Sequence, residues 1–102
     1  MLLSKANLYN ESDQITSFYA RSFTHPARLQ IIRSLREQQQ LTVQELSLGH
    51  PLSLPGLSQH LELLRSTQIL SFKTHYPFLL YSLNEDHFKE ACEYLSRFLN
   101  ES

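Results

Sequence analysis

Apolar residues recur at helical spacing over the first two thirds of the chain. In 10–23, Ile15, Phe18 and Tyr19 fall on one face of a predicted first helix. A second helix is predicted to begin at Pro26, because proline suits the first helical turn. The apolar stripe of this second helix consists of Ala27, Ile31, Ile32 and Leu35. The pattern therefore predicts two amphipathic helices before the sequence REQQQ.

Two further helices are predicted after this connection. Thr42 is a favourable N-cap, and Glu45 three residues later completes a capping box for a short helix. We expect Gly49 to end that helix in a left-handed conformation, and Pro51 prevents its continuation. Ser53 then caps a longer helix. The apolar stripe of the longer helix is Leu57, Leu61 and Leu64. A short helix, a turn and a longer helix are typical of a helix-turn-helix.

After Gln68 the hydrophobic period changes from about 3.6 to 2, which predicts two strands joined at the sequence THYP. A final helix is predicted to start at a cap formed by Ser82 or Asn84. Its apolar stripe is Phe88, Cys92, Leu95 and Leu99. We expect Cys92 to be a buried packing residue, because it has neither a second cysteine nor a basic neighbour to activate its thiol.

Composition bounds the class of protein. The 102 residues suit one domain spanning 1–102, and the apolar fraction of 41% with only two glycines argues against disorder. No apolar run is long enough for a membrane span, and the start of the chain lacks the pattern of a secretory signal. The single cysteine excludes an internal disulfide and fits a reducing compartment. We therefore expect a small cytoplasmic domain without membrane contact.

The charge distribution is uneven, although the net charge is only −1. Residues 21–80 carry three more basic than acidic side chains, whereas residues 81–102 carry three more acidic than basic ones. The middle of the chain could thus face a polyanion while the last helix faces away. Solvated surface charge explains the same counts without any function.

Four segments resemble the arsenic-repressor-type (ArsR) family of bacterial transcriptional regulators. They are HPARLQIIRSLRE, LTVQEL, LSLPGLSQHLELLR and YSLNEDHF, in the family's order and spacing. The resemblance implies a mainly α fold with a small β-hairpin, a winged helix-turn-helix of order α-α-α-α-β-β-α. It also implies a homodimer formed through the first and last helices. Such a dimer would be a repressor of double-stranded operator DNA, released by an effector of unknown identity.

The apolar stripes of the first and last helices are the predicted dimer interface. They comprise Ile15, Phe18, Tyr19, Phe88, Cys92, Leu95 and Leu99. Alternatively, both stripes cover the protomer's own core, and a chain of this size can use them for both purposes.

The predicted DNA contacts lie on the fourth helix and the hairpin. Ser58, Gln59 and His60 present donors and acceptors to base edges, and Leu54 offers an apolar contact to a thymine methyl. Contacts to the phosphate backbone are expected from Ser53, Lys73, Thr74 and Tyr76. The chain departs from the family at Leu54 and Gly56, where glutamine and a small hydroxyl residue are common, and its hairpin keeps a single lysine.

Two alternatives remain open. A winged-helix module without DNA binding would expose Leu54 and 76–78 to a partner protein. A zinc-responsive repressor would use the weak candidate ligands Glu85, His87 and Glu101, although zinc normally takes four ligands.

No cofactor, resident metal or catalytic motif is expected. The family's cysteine pair is replaced by Thr42 and Gln44. Among the other histidines, His25 is expected to cap or pack, and His50 could contact a phosphate.

Overall fold

The computed structural model describes residues 8–101, which form five helices and three strands. In chain order these are α1 (Glu11–Ala20), α2 (Pro26–Gln38), β1 (Leu41–Thr42), α3 (Val43–Leu48), α4 (Leu54–Ser66), β2 (Leu70–His75), β3 (Phe78–Leu83) and α5 (Glu85–Leu99). A single 3-10 turn, Arg21–Phe23, follows α1. The predicted mainly α architecture with a hairpin between the fourth and fifth helices is confirmed. No helix within 8–101 is both long and apolar enough to cross a membrane.

Side chains cap the helices where the sequence predicted them. The amide of Glu45 donates to Thr42 Oγ1 at 3.1 Å, and the amide of Thr42 donates to Glu45 Oε1 at 2.9 Å, so the capping box of α3 is complete. Ser53 accepts from the amide of Gly56 at the start of α4. Asn84, not Ser82, caps α5. These caps satisfy amides that would otherwise lack partners at each helix start.

The three strands form one antiparallel sheet in the order β1-β3-β2. Leu70 pairs with Leu83 at the base of the hairpin, and His75 pairs with Phe78 at its tip. Strand β1 was not predicted, because two residues are too short to show a period of 2. It pairs Leu41 with Tyr81 and thereby fixes the start of α3 against the sheet.

The core is centred on one side of α4. Leu57, Leu61 and Leu64 have almost no exposed surface and pack with residues of α2 and with Ile69 just before β2. This confirms the predicted stripe. Because one side of α4 is wholly committed to the core, its opposite side points to solvent.

Two expectations about local structure were wrong. Gly49 ends α3 with φ −102°, so its backbone is not left-handed. The amide of Gly49 instead donates to Leu46 O, three residues earlier, in a tighter turn. Cys92 is exposed rather than buried. Ala91, its neighbour, occupies the inward position of α5, so Cys92 lies on a side of the helix that no other described element covers.

Candidate nucleic-acid interface

The exposed side of α4 carries polar side chains in its first half. Ser58 and Gln59 are exposed and directly follow the buried Leu57. At about 100° per residue, Gln59 points almost directly away from the buried stripe. Donors and acceptors thus project from a helix whose other side is fixed in the core. Rigid placement of this kind is what base-edge recognition requires.

The start of α4 combines a hydroxyl that caps the helix, on Ser53, with an exposed apolar side chain, on Leu54. Ser53 Oγ accepts from the Gly56 amide at 3.4 Å, so its other acceptor position and its own hydrogen remain for a phosphate. Leu54 is 46% exposed. Neither position offers the amide side chain that is common in the ArsR family, so an apolar contact is the chemistry available at Leu54.

His60 is less accessible than Ser58 or Gln59. It is half-buried, and its Nδ1 lies 2.8 Å from Nη1 of Arg28 on α2. Because a guanidinium can only donate, Nδ1 accepts, and His60 is neutral with its hydrogen on Nε2. Burial, with His25, Arg28 and His50 nearby, lowers the pKa of His60. Only Nε2 is therefore free to contact DNA in this arrangement.

His50 occupies the connection between α3 and α4, but it does not offer its ring to a ligand. Both ring nitrogens are buried without a hydrogen-bond partner, and burial lowers the pKa of the ring. The expectation that His50 contacts a phosphate is therefore corrected. A buried imidazole without partners is held in its neutral form.

The hairpin distributes its polar residues over two sides. Side chains alternate along a strand, so Lys73 and His75 share one side of β2 while Thr74 lies on the other, opposite Leu79. All three polar residues are exposed. Tyr76 at the turn is 90% exposed. Lys73 and Thr74, both expected to contact phosphates, therefore project from opposite sides of β2.

Sequence reasoning missed two arginines that hold this region together. Arg28 donates to His60, and Arg65 forms an ion pair with Glu62 at 2.9 Å while its guanidinium lies 4.9 Å from the ring centre of Phe72. The i, i+3 spacing of Glu62 and Arg65 could have indicated the second contact. Nothing local indicates the first, which joins residues 32 positions apart.

The predicted interface stripe divides between core and surface. Helices α1 and α5 pack against each other, and Tyr19 is only 3% exposed within the protomer. It therefore has almost no surface left for a partner. Ile15 and Phe88 pack partly against the core. The positions with free surface include Phe18, Cys92 and Leu99, the last 77% exposed.

An apolar groove of about 480 Å³ runs between α1 and α5. Its apolar lining comes mainly from Ala20, Leu95, Phe98 and Leu99. Phe98 is half exposed there. The exposed part of the stripe is thus continuous with a concave apolar surface.

The weak zinc candidates do not form a site within the protomer. The Tyr19 hydroxyl donates to Glu90 Oε2 at 2.5 Å, and His87 Nδ1 lies 2.9 Å from the Tyr19 hydroxyl oxygen. Because the phenol has one hydrogen, His87 is the donor in the second contact. Within 8–101 no three His, Cys, Asp or Glu side chains lie close enough to hold a metal ion. Glu85 and Glu101 are exposed.

Helix-turn-helix, hairpin and flanking helices define a winged helix-turn-helix. The sequence profile of bacterial regulatory proteins of the arsR family matches residues 25–71. NolR from Sinorhizobium fredii is 26% identical, with a TM-score of 0.70 over 100% of this chain and 99% of NolR. HlyU from Vibrio cholerae is 27% identical, with a TM-score of 0.73 over 91% of this chain and 100% of HlyU.

The transcriptional repressor BigR from Xylella fastidiosa has the same fold at 21% identity, with a TM-score of 0.68 over 98% of this chain and 100% of BigR. A search of curated proteins found no match. The match of residues 25–71 to the ArsR family of bacterial regulatory proteins, together with the fold, supports a transcriptional regulator of the winged helix-turn-helix class.

Proposed function

We propose that the protein is a dimeric transcriptional repressor that inserts α4 into the major groove of operator DNA. The observation that carries the proposal is the geometry of α4. Gln59 projects from the side opposite the fully buried Leu57, Leu61 and Leu64, and Ser58 is exposed beside it. Glutamine can bond the N6 and N7 edge of adenine with both ends of its amide.

The phosphate contacts proposed for this face are few. Lys73 supplies the positive charge of the hairpin, and Ser53, Thr74 and Tyr76 supply hydroxyls. Arg65 is already paired with Glu62. Since each phosphate neutralised by a basic side chain adds about 0.9 to the salt slope, we expect moderate binding that weakens with salt.

A homodimer is proposed because an exposed apolar surface lies on α1 and α5, away from the helix-turn-helix. Leu99 and Phe98 border the groove between these helices. Burying this surface against a second copy removes it from water. A two-fold dimer would place its two α4 helices in successive major grooves about 34 Å apart, which predicts a palindromic operator.

Release from DNA by an effector is the remaining part of this proposal, and it rests on the family. We propose no enzymatic role and no resident metal. The effector is therefore expected to be something other than a metal held by Glu85, His87 and Glu101.

A second candidate function is a protein-interaction module that has lost DNA binding. The observation in its favour is apolar exposure at both ends of the predicted DNA face. Tyr76 and Phe78 are exposed at the hairpin tip, and Leu54 is exposed at the start of α4. Large exposed apolar side chains close together are typical of protein contacts.

Selection from a pool of random duplexes separates the two candidates. The purified protein is incubated with the pool, and bound duplexes are amplified and sequenced over several rounds. The repressor proposal predicts enrichment of one palindrome whose half-sites lie about one helical turn apart. Absence of any enriched site, even at low salt, would contradict it and favour the interaction module.

A further inference from the structure

Three side chains from distant parts of the chain meet beside α4. Arg28 in the first turn of α2 donates through Nη1 to His60 Nδ1 at 2.8 Å. The rings of His25 and His60 lie 4.4 Å apart between their centres. We call Arg28, His25 and His60 the flank cluster. It places one guanidinium and two imidazoles on a flank of α4, next to the exposed side that carries Gln59.

The guanidinium of the flank cluster has only neutral partners. Its Nε donates to Arg21 O at 3.1 Å, and its Nη2 donates to Thr24 Oγ1 at 2.7 Å. Among residues 8–101 the ion pair that forms is Arg65 with Glu62, so no described carboxylate neutralises Arg28. Three of its five N–H groups are used, which leaves two for a further acceptor. A half-buried positive charge surrounded by neutral groups favours the binding of an anion.

The position of the cluster indicates which anion it meets. His60 follows Gln59 directly in sequence and lies on the flank of α4, between its exposed side and its buried stripe. When a helix lies in a major groove about 12 Å wide, its tip and one side contact bases while its flanks face the phosphates that border the groove. An anion that approaches this flank in a DNA complex is therefore a backbone phosphate.

We propose that the flank cluster binds a DNA backbone phosphate and takes up a proton on His60 as it does so. The inference rests on the proposed repressor function. In the free protein His60 is neutral, because its Nδ1 accepts from Arg28. A phosphate next to the ring favours the imidazolium form. Once protonated, His60 no longer accepts, and the Nη1 hydrogen of Arg28 turns to the phosphate.

The groups that face His60 are few. Arg28 approaches from α2, His25 from the residue before α2, and His50 from the connection between α3 and α4. All three oppose a positive charge on His60, and together with burial they lower its pKa. A phosphate beside the ring acts in the opposite direction, because its negative charge favours the imidazolium form of His60. DNA binding is thus linked to proton uptake, and affinity rises as pH falls through the range in which histidine titrates.

The test measures the affinity of the selected duplex by fluorescence anisotropy from about pH 8 to about pH 5.5, the range that spans histidine titration. The native chain is expected to bind more tightly as pH falls, by at most about tenfold per pH unit for one proton. The His60→Asn variant keeps an acceptor for Arg28 but cannot be protonated. It is expected to bind the duplex more weakly than the native chain, because it lacks Nε2, and to lose most of the pH dependence.

Matched controls separate this site from other histidines and from stability. His75→Asn removes an exposed hairpin histidine and is expected to keep the pH dependence. Arg28→Gln is expected to lower the salt slope by about 0.9, with the fold checked by circular dichroism. Should His60→Asn fail to fold, the loss of pH dependence in Arg28→Gln serves as the second test.

Each contrary result has a distinct meaning. A native chain that binds the duplex without any pH dependence, or a His60→Asn variant that keeps it, overturns the inference and leaves the repressor function standing. No duplex binding at any pH overturns both. If inorganic phosphate alone shifts the titration of His60, followed by NMR of the ring, as far as the duplex does, the assignment to DNA is overturned.

Discussion

The hydroxyl oxygens of Ser22 and Thr67 lie 2.6 Å apart, and both residues are fully buried. Thr67 also donates to Leu64 O at 3.1 Å, so Ser22 provides the hydrogen between the two hydroxyls. This contact ties the end of α4 to the turn between α1 and α2. Together with the bond from Arg28 to His60, it holds α4 against the first part of the chain at two points.

Replacing Thr67 by valine leaves the Ser22 hydroxyl buried without an acceptor. The expected loss is about 1–3 kcal/mol in the free energy of unfolding, because a buried polar group without a partner is costly. Urea denaturation measures it. Ser66→Ala, an exposed neighbour on the same helix, is the control and should change stability little. Adding Ser22→Ala to Thr67→Val should recover part of the lost stability, because no buried hydroxyl is then left without an acceptor. If the double variant instead loses the sum of the two single losses, the role of the hydrogen bond between Ser22 and Thr67 is contradicted.

Tyr19 is expected to make stability fall at high pH. Burial is the main cause that raises the pKa of Tyr19 from 10.0 to about 12. The hydrogen bond to Glu90 and the negative charge of the Glu90 carboxylate contribute in the same direction. The unfolded chain therefore loses the phenol proton first, and the stabilisation present below pH 10 disappears as pH rises towards about 12. Tyr19→Phe should show a shallower decline over this range in chemical denaturation. Tyr9→Phe, at an exposed tyrosine, should show the same decline of stability with pH as the native chain. If the native chain and both variants lose stability with pH equally steeply, Tyr19 is not the cause of the decline.

A charge on the apolar surface of α5 is expected to separate the proposed dimer. Leu99 is largely exposed within the protomer, so Leu99→Glu should fold normally. A second copy seated on this surface would bury the new carboxylate at a cost that breaks the interface. Light scattering during gel filtration should show the mass of a dimer for the native chain and of a monomer for the variant. Leu48→Glu makes the same change at an exposed leucine of α3 and should remain dimeric.

The Lys73→Ala variant is expected to weaken binding to all duplexes by the same factor. In the proposed complex its ammonium contacts phosphates, and such contacts carry no sequence information. The slope of log affinity against log salt should fall by about 0.9. Anisotropy with the selected duplex and with a scrambled duplex, each at two salt concentrations, measures both effects. A loss confined to the selected duplex would show instead that Lys73 contacts a base.

Local patterns were sufficient for the elements of this fold. The stripe of Leu57, Leu61 and Leu64 and the capping box of Thr42 and Glu45 act within one or two helical turns, so their sequence spacing already determines what they do. Strand β1 escaped prediction because it forms only by pairing with β3, which lies far along the chain.

The flank cluster could not be predicted for the same reason. His25 and His60 are 35 positions apart, and each alone is typical of a cap or a surface residue. Only the packing of α2 against α4 brings them together. The exposure of Cys92 is likewise a property of which helices meet α5, since its spacing from Phe88 and Leu95 fits a buried stripe equally well.

The most direct test of the central claim is the effect of Gln59→Ala on sequence preference. Affinities of the native chain and the variant are measured by anisotropy for the selected duplex and for a scrambled one. If α4 contacts bases through Gln59, the variant loses about 1–3 kcal/mol on the selected duplex and almost nothing on the scrambled one. Gln38→Ala, at the exposed end of α2, should leave both affinities unchanged. A Gln59→Ala variant that keeps the native preference would contradict the account of α4 as the helix that recognises DNA.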